Sequence, residues 1–437
     1  MNEASSTDVN LARLLAVEAE IKAGNFQAAA AALDALAAQT PADVRVHLAA
    51  SSLGRAAGNA RLEIQSLRRA VAAAPASARV GMELAKALSR HGRHAEAVAT
   101  VHKALQLAPD ELAVLEAAVA IADVAGNLEA AQQHLQRALA LRPSQASIRR
   151  ALGRNLARQG RCAEAEPHLR AILAMKPDDL PALKWLGSCL IDLKRNDEAL
   201  ALLQKVEVLD PADPSLPYYL ELARGQTPSS TPPDMVRGIF DDYAHRFDAH
   251  LLGKLEYRVP QHVAQIIRQR AAGRDADVLD LGCGTGLVGK HLGRMGNALV
   301  GVDMSPAMIG RAARLGVYTE LRQGALLDQL RLIPPASFDY VIAADVFIYV
   351  GDIAEVIPAC FTVLRSGGAL IFSCETADSA EGGLVLRPSK RYAHSTDAVE
   401  ALCRAAGFER CAIEPMSLRL ENNAPVAGFI AVAEKYR

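Results

Sequence analysis

The sequence predicts a two-domain chain, an all-α solenoid of helical repeats followed by an α/β domain built on a mostly parallel sheet. Three observations carry this reading. Pro41, Pro75, Pro109, Pro143, Pro177 and Pro211 recur every 34 residues through the first half. From about residue 277 onward, short apolar runs alternate with helical stretches, at 277–281, 298–302, 338–343 and 369–373. The first of these runs breaks into glycines, as Val278-Leu-Asp-Leu-Gly-Cys-Gly-Thr-Gly-Leu-Val-Gly289.

The repeat comes first along the chain. Gly24, Gly58, Gly92, Gly126 and Gly160 keep the same 34-residue step, and Lys194 takes the sixth place. Five residues later stand Ala29, Glu63, Ala97, Ala131, Ala165 and Ala199. Seven residues before each glycine place stand Val17, Ser51, Ala85, Val119, Gly153 and Gly187. A glycine that ends one helix permits a tight turn, and a proline stops the second helix before the next unit begins. Small residues sit where two helices cross closely. The unit resembles the tetratricopeptide repeat (TPR), over about residues 8–222. One helix pair cannot bury its apolar face alone, so six such units would stack into a curved solenoid. The resemblance implies a concave groove that docks a peptide, a partner protein or the substrate's carrier. The alternative is an array that only stiffens the chain or makes a homodimer. Trp185, the sole tryptophan, falls at a core position of the sixth repeat, where packing accounts for it.

Residues 223–233 are expected to be a linker, because Gly225-Gln-Thr-Pro-Ser-Ser-Thr-Pro-Pro233 has linker composition. Residues 234–437 then form the second domain. Its last two apolar runs, Arg410–Ile413 and Gly428–Ala433, leave no room for an intervening helix and suit an antiparallel hairpin at the sheet edge.

Composition narrows the function classes. With 437 residues, 51% of them hydrophobic, the chain is long enough for two or three cores. Its 48 basic and 49 acidic residues give a net charge of −1, which argues against a general nucleic-acid binder. Seven scattered cysteines with no Cys-x-x-Cys pair suit free thiols in a reducing compartment. The N-terminal residues carry no signal-peptide pattern, and no long uncharged apolar stretch suggests a membrane span. A cytoplasmic location, no membrane and no metal site are the corresponding expectations.

The glycine corner is a nucleotide-like binding site, since glycine lets the backbone turn sharply and approach a ligand closely. Two cofactors compete for it. Gly284-Thr-Gly-Leu-Val-Gly289 fits G-x-G-x-x-G, and Asp303 stands 21 residues after Gly282, where a ribose-binding acid of a nicotinamide enzyme would stand. Against that reading, Asp280 lies at the strand end, where it would repel a pyrophosphate. The triplet Gly282, Gly284 and Gly286 also begins two residues before the dinucleotide match. An ammonium-bearing cofactor suits Asp280 better, and S-adenosylmethionine (SAM) carries an ammonium, a sulfonium and a ribose.

Asp280-Leu-Gly-Cys-Gly-Thr-Gly286 resembles motif I of class I SAM-dependent methyltransferases, which have a Rossmann-like, seven-stranded fold. Residues 234–437 resemble, more narrowly, bacterial methyltransferases that carry N-terminal TPR repeats. Phe240–Asp248, Ala344–Gly351 and Arg391–Ser395 support this. The resemblance implies that Asp280 holds the methionine ammonium. Gly282, Cys283, Gly284 and Gly286 would wrap the methionine and ribose, Asp303 would accept the ribose hydroxyls, and Met304 would lie against the adenine. Ala325 and Leu326 take the adenine edge, where the family usually has an acid, so the backbone, Gln323 or Asp328 would substitute there. Ala344 and Asp345, ending the fourth strand, would sit near the sulfonium. S-adenosyl-L-homocysteine would be the product.

The acceptor site is sought in two segments outside this core. Tyr243 and Phe247 are four residues apart and share a helix face, as a lid over the cofactor or as core packing, with His250 beyond them as a substrate contact. In the segment 375–395, Arg391, Tyr392 and His394 cluster. His394, Asp345 and Tyr392 are the catalytic candidates, and Tyr349, Arg391, Tyr392 and His250 the substrate contacts. His394 has a structural alternative, holding the start of the next helix. Arg387, Lys390 and Arg391 suit an anionic acceptor or a solvated surface. The fourth strand ends in Ala-Asp-Val-Phe rather than Asn-Pro-Pro-Tyr, which disfavours adenine or amide N-methylation of the DNA-modifying type. The expected activity is methyl transfer to O or N of a small-molecule or peptide- or carrier-linked acceptor. Its rivals are a TPR scaffold with a non-catalytic SAM fold and a protein methyltransferase acting on a groove-bound partner.

Overall fold

The computed structural model describes residues 3–243, 257–296, 298–421 and 424–436. The chain divides into two compact units, residues 1–194 and 195–437.

In the first unit, helices Val44–Ala56 and Ala60–Ala73 pack as a hairpin, as do Ala78–Arg90 with His94–Leu107 and Ala146–Arg158 with Cys162–Met175. Each turn is the same device. Gly58 has φ +67°, and the next backbone N–H, that of Asn59, donates back to the Gly54 carbonyl at 2.7 Å. This left-handed closure satisfies carbonyls that the helix end leaves open. Lys194 keeps the same geometry at φ +62°, although it carries a Cβ. One crossing is tight where a small residue predicted it: a Cβ on Gly153 would lie 2.9 Å from Leu169 Cδ2. Ala29, Ala97, Ala131 and Ala165 are fully buried at one position of the repeat. Glu63 takes that position in the second repeat and is buried there, with Arg90 at 2.5 Å and His91 at 2.8 Å as partners. Those hydrogen bonds outweigh the upward push of burial and hold its carboxyl below the ordinary range.

The second unit is an α/β domain. Its strands are β1 (Val278–Leu281), β2 (Leu299–Asp303), β3 (Glu320–Gln323), β4 (Phe338–Ala343), β5 (Leu364–Thr376), β6 (Leu384–Leu386), β7 (Tyr392–His394), β8 (Arg410–Glu421) and β9 (Ala424–Glu434). The order β3-β2-β1-β4-β5 is parallel, and β9 then pairs antiparallel with β5 and β8 with β9. This is the seven-stranded sheet expected, and its late hairpin closes the edge. A short hairpin, β6–β7, adds to the carboxyl end of β5, where Glu375 pairs with Ala393 and Thr376 with His394. β1, β2 and β4 are apolar and covered on both faces. β3, Glu-Leu-Arg-Gln, is a half-exposed edge strand, and its lack of an apolar run hid it from the sequence reading. Among the described residues, no helix is long and apolar enough to cross a membrane.

Candidate active site

β1 delivers Asp280, the chain turns through Gly282, Gly284 and Gly286, and the helix Leu287–Leu292 follows. The turn is packed against the neighbouring strand's exit, for a Cβ on Gly282 would lie 2.5 Å from Val346 Cγ2. β2 ends at Asp303, whose carboxylate accepts the backbone N–H groups of Gly284 at 2.9 Å and Ser305 at 2.8 Å. β4 delivers Ala344 and Asp345. All three acids therefore stand at the carboxyl edge of adjacent parallel strands, where open α/β sheets bind ligands.

They face one cavity of about 830 Å³. Of the residues predicted for the cofactor, Asp280, Gly282, Cys283, Gly284, Asp303, Met304, Ala325, Leu326 and Ala344 line it. Gly286 does not; it turns the chain at φ +89°, and a Cβ there would meet Leu315 at 2.7 Å and Tyr318 at 3.0 Å. Gln323 and Asp328 are not among the residues that line the cavity, and 72% of the Asp328 side chain is exposed. Asp345, Tyr349 and Arg391 line the same cavity. Phe247 and His250 lie outside the described residues, and Tyr243 is described only as the last residue of the helix Pro233–Tyr243.

The structure places His394 and Tyr392 elsewhere. Both are buried in β7 and neither lines the cavity. His394 Nε2 pairs with the Gly351 carbonyl at 2.7 Å, and burial holds the imidazole below its ordinary pKa, so it is a neutral tie between β7 and the loop after β4. Tyr392 is fully buried, and burial pushes its hydroxyl up to about 12. Their proximity in sequence to Arg391 reflects one short strand whose first and third residues point inward away from the ligand space.

Burial dominates the acids. It pushes Asp280 up to about 7, with the Tyr318 hydroxyl pulling down and the Asp303 charge adding to the rise. Asp303 is raised by burial too, against the N–H groups it accepts. Asp345 is raised by burial and pulled back by Arg419. It sits at φ +55°, with its N–H donating to Ser373 Oγ at 2.7 Å and its carboxylate accepting from Ser373 Oγ at 2.9 Å and Arg419 at 3.1 Å. A non-glycine residue in the left-handed region costs of order 1 kcal/mol, and this network of contacts holds it there.

Four features of the site were not read from the sequence. Arg419, 3% exposed, binds Asp345 and Glu375 and lines the cavity. The β8–β9 register shifts between Ser417 and Arg419, so that Leu418 and Arg419 are both buried, and the alternation that would have exposed one of them fails. Tyr318 hydrogen-bonds Asp280 Oδ2 at 2.7 Å. Phe240, which packs edge-on against Tyr349 with ring centroids 5.1 Å apart, supplies an aromatic wall. And the segment expected to be a linker is structural: Ser229, Ser230 and Thr231 line the cavity, and the Ser229 carbonyl accepts the Asp352 N–H at 2.6 Å. Gly351 makes that approach possible, since a Cβ on it would lie 2.3 Å from the Ser229 oxygen.

Residues 279–372 match the family model of the methyltransferase domain, and residues 14–78 and 150–214 match that of the tetratricopeptide repeat. The chain carries a TPR array and a methyltransferase domain. Over 140 residues it is 35% identical to the ubiquinone biosynthesis O-methyltransferase of Hahella chejuensis, covering 31% of this chain and 58% of that one. The same-named protein of Albidiferax ferrireducens is 29% identical over 151 residues, 31% of this chain and 55% of that one. The chain thus spans about half the length of the curated relatives it matches, from 42% to 58%. Among solved structures, magnesium protoporphyrin IX methyltransferase from Synechocystis with bound S-adenosylhomocysteine aligns at 19% identity and a TM-score of 0.36, covering 46% of this chain and 99% of that one. The residues lining the cavity fit SAM: two buried acids stand beside the glycine turn, and Met304 and Leu326 supply apolar surface for a base.

Proposed function

We propose that this chain is a SAM-dependent methyltransferase acting on O or N of a small-molecule or peptide- or carrier-linked acceptor, with the TPR array docking the acceptor's carrier or a partner protein. The observation that carries the reading is the convergence of Asp280, Asp303 and Asp345, from three adjacent strand ends, on one cavity. The similarity to ubiquinone biosynthesis O-methyltransferases favours oxygen as the atom methylated.

SAM, when bound, supplies a methyl group already activated on a sulfonium. What remains for the protein is alignment and the exclusion of water. In this reading Asp280 faces the ammonium, Asp303 accepts the ribose hydroxyls, and the N–H groups Asp303 holds fix the turn around the methionine. Asp345, held rigid by Ser373 and Arg419, takes the proton that an O–H or N–H acceptor releases. Tyr349 and Arg391 orient the acceptor. Arg391 is clamped by Glu421 at 2.8 Å, and its charge is stabilised despite burial by Tyr349 and the carboxylates around it, so it suits an acceptor with an anionic group.

Incubating the protein with methyl-labelled SAM and extracts of small metabolites or cell proteins should transfer label to an acceptor, and Asp345→Asn should lower kcat at least 100-fold with SAM affinity unchanged. Full activity in Asp345→Asn would remove the proton role. Deleting residues 1–222 tests the docking role. SAM affinity should persist while kcat/KM on a carrier-linked acceptor falls; unchanged kcat/KM would leave the array without a part in substrate capture.

A further inference from the structure

Three glycines of the second unit surround one side chain. A Cβ on Gly289 would lie 2.6 Å from both Cζ and the hydroxyl of Tyr318, one on Gly286 3.0 Å from its Cε2, and one on Gly301 3.0 Å from its Cδ1. These glycines come from the turn after β1, the helix Leu287–Leu292 and the middle of β2. The space they leave is filled by a phenol ring, and its hydroxyl reaches Asp280 Oδ2 at 2.7 Å. Gly289, the last glycine of the G-x-G-x-x-G match, is therefore occupied by protein. In a dinucleotide site the helix must instead pack closely on the strand at that position.

We propose that Tyr318 is a positioning residue for the cofactor's amino group: its hydroxyl fixes and sustains the Asp280 carboxylate that receives the ammonium. This rests on the SAM reading above and deepens it. A buried carboxylate with no donor would take up a proton rather than remain charged. The other titratable groups facing Asp280 do not help. Asp303 on β2 carries like charge, and Cys283 and Tyr257 are each held well above their ordinary range by burial, hence neutral. Tyr318, itself pushed up by burial, keeps its proton and donates it throughout the working pH range. Because ammonium binding is made equally before and during transfer, the consequence falls on affinity rather than on turnover.

The test is binding to Tyr318→Phe across pH 6 to 9, with SAM and with 5′-methylthioadenosine, which lacks the amino acid moiety. Near pH 6.5 SAM should bind about tenfold more weakly than to the parent protein, on the order of the loss expected for a hydrogen bond to a charged group. The gap should close toward pH 9, where Asp280 ionises without help. Affinity for 5′-methylthioadenosine and kcat at saturating SAM should not change. In an Asp280→Asn background, Tyr318→Phe should add nothing. Equal losses for both nucleosides, or a loss independent of pH, would show that Tyr318 only packs and would overturn the proposal. A parent protein that binds 5′-methylthioadenosine but not SAM would overturn it as well; one that binds neither would fail the cofactor reading itself.

Discussion

The glycines of the repeat unit and those of the methyltransferase corner look alike in sequence and do different work. Around Gly24, Gly58, Gly92 and Gly160, nothing would touch an added Cβ within 4 Å; each is there for its left-handed φ. Around Gly282, Gly286, Gly289 and Gly301, a neighbouring side chain would be struck at 3.0 Å or less. The first kind answers to its own backbone. The second, although Gly282 and Gly286 share the left-handed φ, answers also to Val346, Leu315 and Tyr318, which lie between 17 and 64 residues away along the chain. The difference teaches why a 34-residue period was legible at once, whereas the glycine motif admitted two cofactors.

The largest effect should come from the corner. Asp303 holds the Gly284 N–H and, in the proposed reading, the ribose, so Asp303→Ala should weaken SAM at least ~100-fold, since two charge-assisted hydrogen bonds are worth about 1.5–3 kcal/mol each. Calorimetry showing unchanged affinity would remove the cofactor assignment. Next, Gly289→Ala should lower stability by about 1–3 kcal/mol through overpacking, and that cost should vanish when Tyr318 is Ala. By contrast Gly58→Ala should cost roughly 1–2 kcal/mol from its φ, whatever its neighbours are. Urea melts of the two single variants and the double variant measure this, and a Gly289→Ala cost that survives Tyr318→Ala would erase the distinction.

Two smaller effects sharpen the same contrast. Burial places the Asp280 pKa about 7, and only the ionised form attracts an ammonium, so SAM affinity should rise as pH passes upward through 7 and level off above it. A flat profile between pH 6 and 8 would mean Asp280 does not face the ammonium. In the repeat unit, Lys194 has the glycine's φ of +62° without being glycine. Lys194→Gly should therefore stabilise the chain by up to about 1 kcal/mol, part of the relief being returned as unfolded-chain entropy. Loss of stability would show that the lysine side chain has a tertiary role there.

Much of the site was visible in the primary structure because it is local. Asp280 and the glycine turn are contiguous, and Asp303 and Asp345 are each the residue at or just past a strand end, so finding the strands located the acids. The misplaced residues are neighbours of the site only along the chain. His394 and Tyr392 follow Arg391, yet β7 turns them into the core, where His394 ties down Gly351. The segment 229–231 had the composition of a linker, and only the Gly351–Asp352 loop that meets it makes it a cavity wall. Arg419 was hidden by the register shift between Ser417 and Arg419.

By itself the sequence determined the repeat period, the class of each half, the acid-bearing strand ends and the motif that points to SAM. These depend on backbone conformation and hydrophobic periodicity, which short stretches of chain set for themselves. Only the tertiary structure decided which polar groups share the cavity, that Tyr318 fills the glycine pocket and grips Asp280, and that Arg419 and Ser373 hold Asp345. Those contacts join residues 28 to 74 positions apart, and their energies come from burial and hydrogen bonding that no local pattern records.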